Sequence, residues 1–189
     1  MKTVYLVRHG EAGEDRLHEV TYTPINKYDQ PLTKQGVAQA ARLKEVFSGI
    51  PIDRVFTSDY LRAMETFEQL GKAPCHHEAL SEIREIFCEF IGKNLGNTDS
   101  GEFLRQKDRV EKFIDNQIRT INDGETIMVV AHGCFILYLL EKLTGKSFGH
   151  DMTHTGITKL VFEENWDFEF FNSSSHLYER IAPEIKRFT

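Results

Sequence analysis

Residues 4–11 of the chain read Val-Tyr-Leu-Val-Arg-His-Gly-Glu, an apolar run that stops abruptly at two basic side chains and a glycine. A short apolar run bounded in this way is typical of a buried strand. Two later runs end similarly, because residues 54–57 meet Ser58 and residues 126–131 meet His132. The sequence therefore predicts three strands that each end in polar or basic residues.

Helical patterns fill the segments between these strands. Four helices are predicted, from Thr33 as the cap to about residue 47, from about 60 to 70, over roughly 102–121 and over 135–143. Near the end of the chain, residues 157–162 and 166–171 predict a hairpin. Strands that alternate with helices indicate a three-layer α/β/α fold, with a mainly parallel sheet and an antiparallel edge. No linker divides the chain, so residues 1–189 are expected to form a single domain.

Composition narrows the possible functions. The chain has 189 residues, of which 28% are charged, and a formal net charge of -6, which argues against a broad surface for nucleic acid or anionic membrane. No apolar stretch approaches the roughly 20 residues that span a bilayer, and no signal-peptide pattern precedes the first strand. Three cysteines without C-x-x-C spacing argue against a disulfide framework. A cytoplasmic protein without a nucleic-acid or membrane partner is expected, and its oligomeric state is left open.

The strand ends predict a phosphate pocket. Ligands of open α/β sheets bind beyond the carboxyl ends of the strands, where Arg8, His9 and His132 would meet, joined by Ser58 and by Arg62 one helical turn later. Helix N-termini add backbone N–H groups and a positive dipole end. A phosphate monoester carries nearly two negative charges at neutral pH, and arginine forks match its oxygens with charge-assisted hydrogen bonds.

Four segments lie in order along the chain: Arg8-His9-Gly10, residues 57–63 (Thr-Ser-Asp-Tyr-Leu-Arg-Ala), Leu80-Ser81-Glu82, and residues 130–133 (Val-Ala-His-Gly). Together they resemble the histidine phosphatase superfamily, which includes the phosphoglycerate mutases. The resemblance covers nearly the whole chain and implies a phosphoglycerate mutase-like fold.

The resemblance also implies roles for single residues. His9 matches the nucleophile that becomes phosphohistidine, Arg8 and Arg62 match phosphate ligands, and His132 matches the second pocket histidine. Glu82 matches the position of the proton donor. A neutral imidazole is a competent nucleophile near pH 7, which agrees with the role of His9.

Two assignments stay open at this point. Glu85 and Glu89 lie close to Glu82 in sequence, so either of them can be the acid instead. Ser58 can contact phosphate or serve only as a helix N-cap. No H-x-x-x-H or H-E-x-x-H pairing suggests a metal site, and His76 and His77 are expected to face solvent in a loop. Neither a metal nor a cofactor is expected.

The loop over residues 13–30 departs from the family pattern. An asparagine often stands seven residues after the arginine of Arg-His-Gly, and here that position is Asp15. A carboxylate facing phosphate would repel it, so Asp15 either points away or contacts another part of the substrate. The loop is longer than in phosphoglycerate mutases and lacks their Thr-Gly-Trp segment. It is predicted to be a specificity lid, with five candidate residues: Arg16, His18, Tyr22, Lys27 and Tyr28.

The resemblance and these departures favour a phosphomonoesterase of the histidine acid phosphatase type that hydrolyses a phosphorylated small molecule. Because two arginines and two histidines supply the positive charge that magnesium supplies in other sites, the reaction is expected to be metal-independent. The alternatives are a phosphoglycerate mutase-type isomerase, a phosphate-binding regulatory module and a phosphoprotein phosphatase.

Overall fold

The computed structural model describes residues 1–71, 76–86, 101–149 and 152–178. These residues contain a six-stranded sheet with the order β3-β2-β4-β1-β5-β6. The strands are β1 Lys2–Arg8, β2 Arg54–Ser58, β3 His76–Leu80, β4 Thr126–Ala131, β5 Ile157–Phe162 and β6 Trp166–Ser173.

The first four strands in the order are parallel, and β5 and β6 are antiparallel. Arg8 at the end of β1 is paired with Ala131 at the end of β4, and Thr57 of β2 is paired with Val130 of β4. The three predicted strand ends therefore lie side by side. The predicted α/β fold, with a mainly parallel sheet and an antiparallel edge, is confirmed.

Helices cover both faces of the sheet. They are α1 Lys34–Val46, α2 Leu61–Glu68, α3 Gly101–Phe113 and α4 Gly133–Thr144. Alternate side chains of β1 point to opposite faces, so that Leu6 joins a core with Phe113 and Phe135, and Val7 joins a second core with Phe47.

The ends of the helices agree with the sequence pattern. The Thr33 side chain caps α1 by accepting a hydrogen bond from the Gly36 N–H at 2.9 Å, as expected. The predicted long helix over 102–121 is α3 followed by a π-helical segment, Ile114–Ile118. No helix in the described ranges is long and apolar enough to cross a membrane.

Two expectations are wrong. His76 and His77 belong to β3 at the edge of the sheet and not to a loop. His76 is exposed, as expected, but His77 is half-buried, and its ring lies 3.0 Å from Thr57 Oγ1 and 4.5 Å from the Phe67 ring. An edge strand of mixed burial gives no alternating pattern, so its sequence resembled a loop.

Cys134 is disulfide-bonded, contrary to the argument from the odd cysteine count. The other cysteines, Cys75 and Cys88, lie outside the described residues.

A close backbone contact joins the end of β1 to the start of α1. A Cβ atom added at Gly10 would lie 2.6 Å from the Gly36 carbonyl oxygen, and one added at Gly36 would collide with the Glu11 carbonyl oxygen. Gly36→Ala should therefore lower the free energy of unfolding by about 1–3 kcal/mol, because the backbone has to shift, as measured by urea denaturation.

Gly149→Ala is the matched control, since a Cβ atom there meets nothing within 4 Å. Its effect should stay within about 0.5 kcal/mol. Equal stabilities for the two variants would show that the contact between Gly36 and the Glu11 carbonyl group is not as close as described.

Candidate active site

The site begins where β1 ends. The backbone N–H of His9 donates to the Ala131 carbonyl of β4 at 2.9 Å, and the Gly10 N–H donates to Thr66 Oγ1 of α2 at 3.0 Å. The segment after β1 is thus held between its neighbouring strand and the helix that carries Arg62. A cavity of about 750 Å³ opens there, and Arg8, His9 and Arg62 line it.

The His9 ring is held at both nitrogen atoms. Nδ1 lies 2.6 Å from the Gly10 carbonyl oxygen, which can only accept, so Nδ1 carries the proton. Nε2 therefore has the lone pair, and it accepts a hydrogen bond from Arg62 Nε at 3.1 Å. Burial, helped by the positive charge of Arg62, holds the pKa of His9 well below its usual value. The ring is neutral at pH 7, with Nε2 as its basic and nucleophilic atom.

Arg8 and Arg62 are also held in place by contacts with residues other than His9. Arg62 donates to the Tyr28 carbonyl oxygen at 2.6 Å, and its guanidinium lies 4.8 Å from the centre of the Tyr60 ring. Arg8 donates to the Met152 carbonyl oxygen. Two positioned guanidinium groups beside a neutral imidazole can hold the oxygens of a phosphate group.

His132 and Ser58 lie behind His9, and neither is among the described residues that line the cavity. The ring centres of His132 and His9 are 5.0 Å apart, and His132 Nε2 lies 2.8 Å from Ser58 Oγ. Ser58 Oγ also accepts from the Tyr60 N–H at 3.3 Å, which gives it a structural role at the start of α2. Burial, followed by the proximity of His9, holds the pKa of His132 well below its usual value.

The three candidate glutamates are placed differently. Glu85 lines the cavity, whereas Glu82 is not among its described lining residues and accepts a hydrogen bond from Ser81 Oγ at 3.2 Å. Glu89 lies outside the described residues. Glu85 Oε1 accepts from the Phe135 N–H of α4 at 3.0 Å, and burial raises the pKa of the Glu85 carboxyl group.

Several cavity residues were not predicted from the sequence: Asn26, Gln30, Arg84, Gln106, Arg109 and His154. His154 precedes β5, and its ring centre lies 6.0 Å from that of His9. Because β5 is antiparallel to β1, its beginning lies at the same edge as the carboxyl ends of the parallel strands. The antiparallel direction of β5 was therefore the feature from which the position of His154 at the site could have been predicted.

The loop over residues 13–30 is anchored at several points. Asp15 accepts a hydrogen bond from the Lys34 N–H at the start of α1 at 3.1 Å, so it points away from the pocket, one of the two expected outcomes. Asp29 accepts from the Leu61 N–H of α2 at 2.8 Å. Of the five candidate residues of the lid, Lys27 and Tyr28 line the cavity, and Arg16, His18 and Tyr22 are not among the described lining residues.

Comparison with known proteins gives the class. The model of the histidine phosphatase superfamily (branch 1) matches residues 4–93. The resemblance found in the sequence is confirmed over these residues. No curated protein matches the sequence significantly.

Solved structures share the fold. Phosphoserine phosphatase from Entamoeba histolytica, in complex with phosphoserine, is 23% identical with a TM-score of 0.67, over 94% of this chain and 100% of its own. Phosphoglycerate mutase from Bacillus anthracis is 21% identical with a TM-score of 0.68, over 93% of this chain and 94% of its own. The protein histidine phosphatase SixA is 21% identical with a TM-score of 0.60, over 93% of this chain and 99% of its own. The family match supports a phosphatase or mutase activity in general, and the neighbours show the shared fold.

The charge of Arg62 predicts a change in the titration of His9. Arg62→Met keeps an apolar side chain over the ring and removes the charge that lowers the pKa. The pKa of His9 should therefore rise in this variant, as measured by NMR titration of the ring. In the unchanged protein, His9 should remain neutral through the range around pH 6.5 where an ordinary histidine titrates.

Arg119→Met serves as the control, because the Arg119 side chain is 69% exposed and pairs with Asp115 on the surface. Its His9 titration should match that of the unchanged protein. The same titration curve in the Arg62 and Arg119 variants would contradict an electrostatic contact between Arg62 and His9.

Proposed function

We propose that this protein is a phosphomonoesterase that transfers the phosphoryl group of a small molecule to His9 Nε2 and then to water. The observation that carries the proposal is the contact between a buried, neutral His9 and Arg62 inside one cavity. This arrangement leaves a lone pair on Nε2 and places positive charge beside the point where phosphorus would be attacked.

The first step forms the bond between His9 Nε2 and phosphorus and breaks the bond between phosphorus and the ester oxygen. Arg8 and Arg62 hold the charge on the phosphoryl oxygens during this in-line transfer. The leaving oxygen takes a proton from a carboxylic acid. In the second step the resulting carboxylate removes a proton from water, whose oxygen attacks phosphorus and releases His9 and inorganic phosphate.

His132 has a supporting role in this scheme. Its Nδ1 atom is buried and has no hydrogen-bond partner among the described residues. If the Ser58 hydroxyl donates to Nε2, the proton of the His132 ring is on Nδ1. A buried N–H without an acceptor costs free energy, and an oxygen of the bound phosphoryl group would satisfy it.

Glu85 suits the role of the acid better than Glu82, which the sequence resemblance indicated. Glu85 lines the cavity that contains His9, and its raised pKa favours the protonated form that a general acid needs. The backbone N–H groups of Ile86 and Phe135 donate to Glu85 Oε1, which orients the carboxyl group.

A comparison of variants tests the nucleophile and the acid. His9→Ala should abolish hydrolysis of every substrate. Glu85→Gln keeps the shape of the side chain and removes the proton, so it should slow alkyl phosphates by about 10²–10⁴-fold. It should slow nitrophenyl phosphate far less, because nitrophenolate scarcely needs a proton to leave. Steady-state rates on the two substrate types provide the measurement.

Glu82→Gln is the matched comparison, three residues away in the same segment. It should have less than a threefold effect on either substrate type. If Glu82→Gln shows the dependence on the leaving group and Glu85→Gln does not, Glu82 is the acid. An acid-labile phosphohistidine that accumulates on the acid variant would identify the same residue as the base of the second step.

Substrate panels separate the alternatives. Exchange of phosphate between the two positions of a phosphoglycerate, without net release of inorganic phosphate, would indicate a mutase. Hydrolysis of a phosphorylated protein but of no small ester would indicate a phosphoprotein phosphatase. Binding of phosphate without turnover of any ester would indicate a regulatory module.

Hydrolysis should also be independent of metal ions. The positive charge in the proposed transition state comes from Arg8 and Arg62, and the neutral His132 ring adds an N–H donor, so nitrophenyl phosphate hydrolysis should be unchanged after treatment with EDTA. Loss of activity that magnesium or zinc restores would show that a metal ion takes part.

A further inference from the structure

His154 is a half-buried histidine to which the proposed reaction assigns no role. It lines the cavity, and its ring centre lies 6.0 Å from that of His9. Neither nitrogen atom of its ring has a hydrogen-bond partner within the described parts of the chain. A polar group that is shielded from water and lacks a partner costs free energy, and a ligand in the cavity would supply that partner.

The backbone next to His154 is bonded to the segment that carries the nucleophile. The Thr155 N–H donates to the His9 carbonyl oxygen at 3.2 Å, and the Arg8 N–H donates to the Gly156 carbonyl oxygen at 3.1 Å. These two hydrogen bonds hold His154 beside His9. Because the two rings are 6.0 Å apart, an oxygen atom of a group bound to His9 can come within hydrogen-bond distance, about 3 Å, of the His154 ring.

An unusual backbone conformation follows His154. Thr155 has a φ of 55°, which a β-branched residue rarely adopts. Its hydroxyl group donates to the His154 carbonyl oxygen at 2.7 Å and lies 2.9 Å from Nε2 of the buried His176. Such a conformation persists only where the surrounding contacts impose it. The turn at Thr155 therefore fixes the direction in which the His154 side chain leaves the backbone.

Strand β6 also supports this turn. The Thr153 N–H donates to Oδ1 of Asn172 in β6 at 3.0 Å. A Cβ atom added at Gly156 would lie 2.2 Å from the same oxygen atom, so the contact requires glycine at this position. The turn that carries His154 is thus held by contacts with both β1 and β6.

His154 and Glu85 are attached to elements on opposite sides of β1. Glu85 accepts from the Phe135 N–H of α4, which follows β4, whereas His154 precedes β5. Strands β4 and β5 are the two neighbours of β1 in the sheet. Glu85 is the acid for the leaving oxygen in the proposed reaction, so His154 is placed to contact another oxygen of the phosphoryl group.

The charge state of His154 suits a hydrogen-bond donor. Burial, followed by the positive charge of Arg8, lowers the pKa of His154, and the carboxylate of Glu11 opposes this effect. A neutral ring has one N–H group and a protonated ring has two. The ring can therefore donate to a phosphoryl oxygen in either state.

We propose that His154 is a further substrate-binding residue, whose ring donates a hydrogen bond to an oxygen of the phosphoryl group that His9 accepts. This inference rests on the proposed function and adds a ligand to its phosphate pocket. His9 forms the bond to phosphorus and Glu85 moves the proton, whereas His154 holds charge on the phosphoryl group. The contact does not involve the organic part of the substrate, so it contributes equally to every phosphate ester.

Sulfate binding tests the contact without turnover, because sulfate is a tetrahedral dianion that has no organic part. His154→Phe keeps a ring and removes both nitrogen atoms. It should weaken sulfate binding by about tenfold in calorimetry, since a hydrogen bond to a charged group is lost. His154→Gln keeps an N–H donor near the position of Nε2 and should stay within about threefold of the unchanged protein.

The order of these two variants separates binding from packing. A merely structural role would favour His154→Phe, which keeps the shape of the ring, over His154→Gln, which does not. His18→Phe is the matched control, because the His18 side chain is 75% exposed and is not among the described residues that line the cavity. It should leave sulfate binding unchanged.

Steady-state rates provide a second readout. His154→Phe should lower kcat/KM by the same factor for alkyl phosphates and for nitrophenyl phosphate. Glu85→Gln, in contrast, should affect alkyl phosphates far more, because its effect depends on the leaving group. A dependence on the leaving group in His154→Phe would make His154 a proton donor and would overturn the proposal.

Sulfate affinities that are equal in the unchanged protein and His154→Phe would also overturn it, as would weaker binding by His154→Gln than by His154→Phe. So would the absence of measurable sulfate binding by the unchanged protein. Failure of the proposed function is distinguishable, because hydrolysis of nitrophenyl phosphate is measured separately. Hydrolysis together with equal affinities would remove only the role of His154. The expected order of affinities without hydrolysis of any ester would keep the contact and remove the phosphatase.

Discussion

The hydrogen bond from Arg62 to His9 is the contact on which the site depends. His9 follows β1, and Arg62 lies in the first turn of α2, which follows β2. The hydrogen bond therefore forms only when β1 and β2 end at the same level of the sheet. The guanidinium of Arg62 donates to a neutral nitrogen of His9. A phosphate oxygen is a stronger acceptor because it is charged. In the proposed reaction the incoming phosphate therefore takes over this donor and frees the Nε2 lone pair for attack.

Helix α2 connects most of the groups that surround this contact. Asp29 holds the loop over residues 13–30 against the start of the helix, and Thr66 accepts from the backbone that follows His9. Glu65 accepts from the Leu32 N–H at 2.6 Å and pairs with Arg16 at 3.3 Å. A buried carboxylate needs such partners. One short helix thus fixes both the phosphate pocket and the loop beside it.

The sequence predicted the features that depend on local pattern. Apolar runs located three of the four parallel strands, and the common direction of these strands brought Arg8, His9 and Arg62 to one edge of the sheet. Features that depend on tertiary position were missed. His154 reaches the site only because β5 runs in the opposite direction, and Arg109 only because α3 passes beside the segment that contains Glu85. Glu82 lies within a tight turn, Ser81–Ile83, and Glu85 follows it by two residues; a sequence pattern does not show which of them faces the cavity.

Burial has opposite effects on the two groups that the proposed reaction needs. It lowers the pKa of His9 and raises the pKa of Glu85, because a low-dielectric surrounding disfavours charge of either sign. The same desolvation therefore supplies a neutral nucleophile and favours a protonated acid. A bound phosphate adds negative charge, which further disfavours ionisation of Glu85 until its proton is transferred. After the leaving group departs, Glu85 is a carboxylate beside a phosphorylated histidine. The first step thus leaves Glu85 deprotonated, which is the state that the second step requires.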